Sequence, residues 1–278
     1  MFHEIYPHKF DITYAPREAK DDDFVVIYKA GGVFLKDDGD VISLPCVSEL
    51  GTEFDRTQLL FLFTLDENIA VYMADIEGLD GYAPITPRDL RNRKPMWISY
   101  ASSVAARLII WYRSNKYCSR CGKPLIHSKT ERAMVCSDTD CKNVVYPSIC
   151  PSVIVLIRDG NRALLTRYAV NHSAYRRYAL VAGYVETGES PEETVQREVF
   201  EEVGLKVKNI KYYKSQPWPL SGALLLGYVC DLDGSDKIRL DENELEIAEW
   251  LEREELPDRS NDVSLTSELI EMFRTGKL

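Results

Sequence analysis

Three glutamates on one short segment, Glu198, Glu201 and Glu202, are the side chains of this sequence whose type and spacing most directly imply chemistry. On a helix they stand at i, i+3 and i+4, so at about 100° per residue their carboxylates share roughly one third of the circumference. Like charges so placed repel, and a cation should sit among them. An all-oxygen, partly hydrated site suits Mg²⁺ or Mn²⁺. The helix that must carry them is marked at both ends. Ser190 is an N-cap, Pro191 occupies the first helical position, Glu193 closes a capping box, and Gly204 supplies the stop. A solvated acidic helix is the ordinary reading of such a charge run. It accounts neither for Gly183 and Arg197 nor for Val195, Val199 and Val203, which give the helix a buried side.

A second cluster is built from sulfur. Cys118 and Cys121, then Cys136 and Cys141 after fourteen intervening residues, form two pairs of the kind that hold tetrahedral Zn²⁺ in a ribbon. Four thiolates leave no open coordination position, so this metal is expected to be structural, stabilising a segment too small to bury a core. The second pair is separated by four residues, Ser137 to Asp140, which predicts a longer second knuckle; reduced thiols in a core are the alternative. Cys46, Cys150 and Cys230 lie in apolar, strand-like surroundings and read as small core residues. The histidines His3, His8, His127 and His172 all fall outside the glutamate segment and carry no assigned role.

The frame around these clusters is that of a soluble, cytoplasmic protein. A length of 278 residues with 45% hydrophobic content allows more than one packed core. The formal charge of −10 disfavours non-specific binding to nucleic-acid backbones, so a polyanionic substrate would need a local metal or Arg and Lys. No signal-like start and no apolar run long enough to span a bilayer is present, and seven cysteines in this arrangement do not form a secreted disulfide framework. Short β-rich runs at 24–29, 58–64 and 69–73 alternate with Gly/Asp punctuation such as Asp37 to Asp40; a helix is expected over Trp97 to Trp111. From Ser152 the pattern becomes α/β. It comprises a hairpin of 153–158 and 162–166, a strand near 178–181, the glutamate helix, strands near 207–213 and 223–230, and a final helix over 264–274.

From Gly183 to Leu205 the chain resembles the Nudix box at all nine defined positions of a 23-residue window: Gly183, Glu189, Arg197, Glu198, Val199, Glu201, Glu202, Gly204 and Leu205. Ten residues further on, Ser215-Gln216-Pro217-Trp218-Pro219 resembles the motif that marks the NADH diphosphatase branch of that family. Read alone it is a rigid extended loop around a Trp, or a Trp buried under a loop. The resemblance covers the whole chain. It implies an α+β architecture, a Nudix α/β/α sandwich at 148–278, preceded by a zinc ribbon at 113–147 and a β-rich N-terminal domain at 1–112. It further implies hydrolysis of the pyrophosphate bond of NADH or NAD⁺ to NMNH or NMN and AMP. Glu198, Glu201, Glu202 and Glu244 would hold the Mg²⁺ or Mn²⁺, with Cys118, Cys121, Cys136 and Cys141 on Zn²⁺. Tyr184, and Tyr146 from the second subunit of a homodimer, would sandwich the nicotinamide or base ring, and Gln216 and Trp218 would read the nucleotide. Glu202, otherwise Glu201, would accept the proton of the attacking water, while Arg197 pairs with a box carboxylate to fix the loop. Leu220-Ser221-Gly222-Ala223 departs from the usual residues, so a Phe and a hydroxyl are missing from the expected pocket wall.

Two rival functions use the same features. Removal of an NAD cap from RNA 5′ ends requires the same bond cleavage, as would hydrolysis of ADP-ribose or diadenosine polyphosphates. A non-catalytic nucleotide sensor that touches nucleic acid with its ribbon is opposed by the intact Glu198, Glu201 and Glu202. It is opposed also by the ribbon's mixed charge, where Glu131, Asp138 and Asp140 offset Lys116, Arg120, Lys123, Lys129, Arg132 and Lys142.

Overall fold

A computed structural model describes residues 1–39, 41–170, 177–260 and 262–278; Asp40 and His172 of the sequence reading lie outside them. The chain divides into two compact units. One holds Met1, Ile149–Trp218 and Gly222–Leu278, the other Phe2–Ser148 and Pro219–Ser221. No helix among the described residues is long and apolar enough to cross a membrane.

In the carboxyl-terminal unit a six-stranded mixed sheet lies between two helices. Its elements are β1 (Cys150–Asp159), β2 (Arg162–Tyr168), β3 (Val181–Tyr184), α1 (Pro191–Val203), β4 (Val207–Trp218), β5 (Ala223–Leu232), β6 (Leu245–Glu252) and α2 (Leu265–Arg274). The strand order is β4-β5-β1-β2-β6, with β3 paired to the first half of β1. Strand β1 runs parallel to β5 over its whole length and antiparallel to β2 only at the hairpin, Arg158 opposite Ala163. Side chains alternate across a strand, and β1 has an apolar residue at each of five successive positions. Val153, Val155 and Ile157 pack with Val195, Val199 and Val203 of α1. Ile154 and Leu156 pack with Leu265, Leu269, Ile270 and Phe273 of α2. One continuous apolar run therefore glues a helix to each face, and the α/β/α sandwich follows.

The structure corrects several local expectations. The strand anticipated near 178–181 begins at Val181 and runs through Gly183; before it, Ala179 makes only an isolated bridge to Thr166. Strand β4 does not stop at Tyr213. It continues through Ser215-Gln216-Pro217-Trp218, so this motif is the end of a strand rather than a loop, with Pro217 opposite Leu224. Proline is tolerated there because β4 is the edge of the sheet and the missing N–H faces no ladder partner. Strand β6 (Leu245–Glu252) has three glutamates that break up its apolar pattern, and seven pairings with β2 define it.

In the amino-terminal unit, Leu60–Leu65 and Ile69–Met73 form a hairpin flanked by Phe10–Asp11 and, in parallel, by Phe24–Val26. A second small sheet joins Tyr28–Lys29, Gly32–Asp37, Ile42–Ser43 and Ala83–Ile85. The helix Met96–Ser114 extends the expected span and ends where the Asn115 side-chain amide donates to the Trp111 carbonyl at 2.7 Å. Ile98, Ala101, Ala105, Leu108 and Ile109 form its buried face. Three short antiparallel strands, Leu125–His127, Met134–Cys136 and Val144–Val145, then carry the cysteine turns.

Candidate active site and metal centres

Helix α1 is set by the residues that mark its ends. The Ser190 hydroxyl accepts from the Glu193 N–H at 3.3 Å while the Glu193 carboxylate accepts from the Ser190 N–H at 2.7 Å, and Gly204 turns the chain out at φ +70°. The first half of the box is a device for holding Glu198. Gly183 lies so close beneath that carboxylate that a Cβ there would sit 1.9 Å from the carboxyl carbon, which no side chain could survive without displacing Glu198. From the other side, Arg197 donates to Glu198 at 2.8 Å, to Glu201 at 2.9 Å, to both oxygens of Glu189 at 2.6 and 2.9 Å, and to the Tyr184 carbonyl at 3.0 Å. The Arg197 guanidinium holds Glu189 down to about 2, so this pair stays ionised through the neutral range. Arg197 thus ties the loop before α1 to the helix.

The second half of the box is completed by a segment far along the chain. Helix carbonyls at a C-terminus lack intrahelical partners. The Arg239 N–H takes that of Val203 and the Asp241 N–H that of Glu202, each at 2.9 Å. This stitching brings Asp241 and Glu244 alongside the helix. The resulting open pocket, about 420 Å³, is lined by Glu198, Phe200, Glu201, Glu202, Arg239, Asp241 and Glu244. Glu202 is only 3% exposed; one of its oxygens accepts from the Ala182 N–H at 3.3 Å and the other, Oε2, is buried without a partner. Burial above all, with Glu198, Glu244 and Asp241 adding to it, pushes Glu202 up to about 8. Burial likewise raises Glu198, an effect Arg197 opposes. Glu201 is different: its side chain is 56% exposed, so the three box glutamates do not share one environment.

These donors suit a hard divalent cation. The orphaned Oε2 of Glu202, the desolvated Glu198, and Glu244 and Asp241 across the pocket are all-oxygen ligands, and the open mouth leaves room for the waters that Mg²⁺ retains. Asp241 was missed in the sequence reading. Its only signal is the acidic run Asp241-Glu242-Asn243-Glu244 just before the Glu244 motif. His3, His8 and His127 take no part in the pocket.

The residues expected to touch substrate are placed unequally. Tyr184 and Tyr146 are each about half exposed, at 53% and 54%, and the Tyr146 hydroxyl donates to Glu131 at 3.2 Å. Trp218 is half-buried at the end of β4. Gln216 is fully buried, and both ends of its amide are taken: Nε2 donates to the Val263 carbonyl at 2.9 Å and Oε1 accepts from the Leu265 N–H at 2.8 Å. Through these bonds Gln216 ties β4 to the start of α2.

The four cysteines form a separate centre. Their Sγ atoms all lie within 4.8 Å of one another, with Cys118 and Cys141 at 3.7 Å and Cys121 and Cys136 at 3.4 Å. Tetrahedral Zn–S bonds of about 2.3 Å place sulfurs roughly 3.8 Å apart, so the set fits zinc, whereas a disulfide needs about 2.05 Å. Gly122, at φ +74°, lets the first knuckle turn tightly, its N–H donating to the Cys118 carbonyl at 2.8 Å. In the longer second knuckle the Asp138 carbonyl accepts from Cys141 at 3.2 Å and Lys142 at 3.4 Å, so the extra residues are absorbed without opening the cluster. Of the other cysteines, Cys230 is buried as expected, Cys46 is half-buried, and Cys150 is exposed at the start of β1, where the sheet has not yet been covered.

Comparison with known proteins agrees with this geometry. Residues 149–272 match the NUDIX domain family and residues 113–146 the NADH pyrophosphatase zinc ribbon domain family. Over 211 residues the chain is 36% identical to the NAD-capped RNA hydrolase NudC of Chromobacterium violaceum, covering 74% of this chain and 77% of that one. The chain belongs to the Nudix family. It is also 40% identical over 148 residues to NudC of Mannheimia succiniciproducens and 42% over 151 residues to NudC of Salmonella typhi. These matches span 55% and 57% of the relatives' lengths. A Nudix hydrolase from Nitrosomonas europaea shares the fold, with a TM-score of 0.50 at 20% identity, covering 58% of this chain and 92% of the other. The Nudix box of this chain therefore has a geometric reason at each end: Gly183 and Arg197 place Glu198, and Gly204 opens the helix end to the loop that brings Glu244.

Proposed function

We propose that this chain hydrolyses the diphosphate bond of NADH or NAD⁺, giving NMNH or NMN and AMP. The observation that carries the reading is the pocket in which buried Glu202, with its unpartnered Oε2, faces Glu198, Asp241 and Glu244. Water oxygen attacks one phosphorus of the diphosphate, the bond from that phosphorus to the bridging oxygen breaks, and the second phosphate leaves. Glu202, whose Oε2 has no protein partner, accepts the proton of the water, and Glu201 is the second candidate. Glu198, Glu201, Glu202 and Glu244 would hold Mg²⁺ or Mn²⁺, which would supply charge neutralisation at the phosphates and a more acidic water. Arg197 keeps Glu198 in place, and zinc on the four cysteines stabilises the ribbon.

The finer assignments belong to the same reading: domains at 1–112, 113–147 and 148–278, a cytoplasmic setting consistent with free thiols, and a homodimer in which Tyr146 of one subunit and Tyr184 of the other enclose a ring. Tyr184 is supported by its exposure directly after Gly183, and Tyr146 by its own exposure. Trp218 forms part of the wall. Removal of NAD caps from RNA is the second reading, supported by the names of the relatives at 36–42% identity. The test is product chromatography with NADH, NAD⁺, ADP-ribose, diadenosine polyphosphates and NAD-capped RNA, each with Mg²⁺ and with Mn²⁺. NMNH and AMP in equal amounts from NADH are expected; turnover of none of the NAD-containing substrates would reject the proposal.

A further inference from the structure

Arg239 lines the acidic pocket and has no part in the steps above. Its backbone is seated against the end of α1, where its N–H donates to the Val203 carbonyl at 2.9 Å, and a Cβ on Gly204 would come within 2.7 Å of the Arg239 Cβ. Its side chain lies over the ring of Phe200, with the guanidinium carbon 5.2 Å from the centroid. Phe200 is itself 47% exposed, so this aromatic platform stands at the surface of the pocket.

The pocket presents five carboxylates, Glu198, Glu201, Glu202, Asp241 and Glu244, and a guanidinium beside them would ordinarily pair with one. Arg197 on the other flank does so with three glutamates. Arg239 does not: among the described residues no carboxylate accepts from its guanidinium, and the contact it makes is with a ring. A cation–π contact orients the plane while leaving the N–H edge available. That edge carries donors in a fork that matches two oxygens of one phosphate. We infer that Arg239 is a substrate-positioning residue that binds a phosphate of the diphosphate, with Phe200 as its platform. This rests on the reading of the pocket as a pyrophosphate-cleaving site and names the group that receives the substrate's own charge there.

Wild type, Arg239→Gln, Arg239→Lys and Phe200→Leu should be compared in calorimetric binding of ADP with Ca²⁺ and in NADH kinetics with Mg²⁺, alongside thermal melts. Arg239→Gln should weaken ADP binding and raise KM roughly 10- to 100-fold, the loss of a charge-assisted hydrogen bond, with an unchanged melt. Arg239→Lys should recover part of the loss, and Phe200→Leu should produce a smaller one of the same kind. ADP affinity within about twofold of wild type for Arg239→Gln overturns the inference, as does failure of the wild type to bind ADP, or a loss of affinity that merely follows a lowered melt. If the wild type turns over no dinucleotide yet Arg239→Gln loses ADP affinity, the proposed reaction fails and the phosphate site stands. If the wild type cleaves NADH and Arg239→Gln is unchanged in both measurements, the inference alone fails.

Discussion

The two centres of this chain are both built from pairs of like ligands, yet they are opposites in construction. The cysteine centre is closed: four sulfurs from two tight turns come within 4.8 Å of one another, held by local backbone hydrogen bonds. The carboxylate centre is open, and its ligands come from a helix and a distant loop that meet because the fold joins them. Among the described residues only the cysteines approach one another so closely. A saturated soft-ligand site can only stabilise, whereas hard, spaced ligands keep positions for water and substrate. Chemistry is therefore expected at the site whose ligands are hardest to assemble, and stability at the one that assembles locally.

The sharpest break in that comparison is Glu202→Gln. The substitution keeps the volume and removes the ionisable carboxyl of a buried group, so kcat should fall on the order of 10²- to 10⁴-fold while the melt holds or rises. Steady-state rates with NADH check it; a change within about threefold, under roughly 1 kcal/mol, would falsify a role for Glu202 in the reaction. Cys118→Ser should show the reverse profile. About one zinc per chain is expected by elemental analysis of the wild type, and the variant should lose it with a destabilisation of more than about 4 kcal/mol, in the exceptional class to which loss of a metal belongs. Zinc-free wild-type protein, freshly purified, rules the ribbon out. Next in size is Gly183→Ala. The added methyl group meets the Glu198 carboxylate and not the core, so an activity loss of about 10²-fold through displacement is expected with only a modest change in melting. Near-normal kcat in this variant means that Glu198 tolerates being moved.

What was legible in the sequence divides along the same line. The ends of α1, its valine face and both cysteine pairs are local signals, written within one or two turns of the chain, and the structure has them where the spacing put them. Features that depend on a distant partner were not legible. Strand β6 exists through its pairing with β2, Asp241 enters the pocket through a bond to the end of α1, and Gln216 is turned inward by its place on β4. The helix period predicts that Glu198, Glu201 and Glu202 share a face; it does not predict that burial divides them, because that depends on what covers the helix. Arg239 carries no sequence signal, since its platform Phe200 lies 39 positions earlier in the chain.

The smallest effect concerns the aromatic pair, and it asks whether the open centre is completed by a second copy of the chain. Tyr146 is half exposed, with its hydroxyl on Glu131 as its polar contact, so its ring is available for stacking. If it closes over a substrate ring held by Tyr184 of the other subunit, Tyr146→Ala should raise KM by the equivalent of about 1 to 3 kcal/mol, the worth of a base-aromatic stack, and leave folding intact. If Tyr146 only packs the end of the ribbon, the melt should fall and KM should hold. Mixing Tyr146→Ala subunits with Glu202→Gln subunits separates a shared site from a private one. In a closed two-fold dimer each mixed pair rebuilds one of its two sites from an intact Tyr146 and an intact Glu202, so each mixed pair should reach up to about half of wild-type activity. No recovery after subunit exchange has been verified places both residues in the site of one chain, and the shared pocket must then be given up.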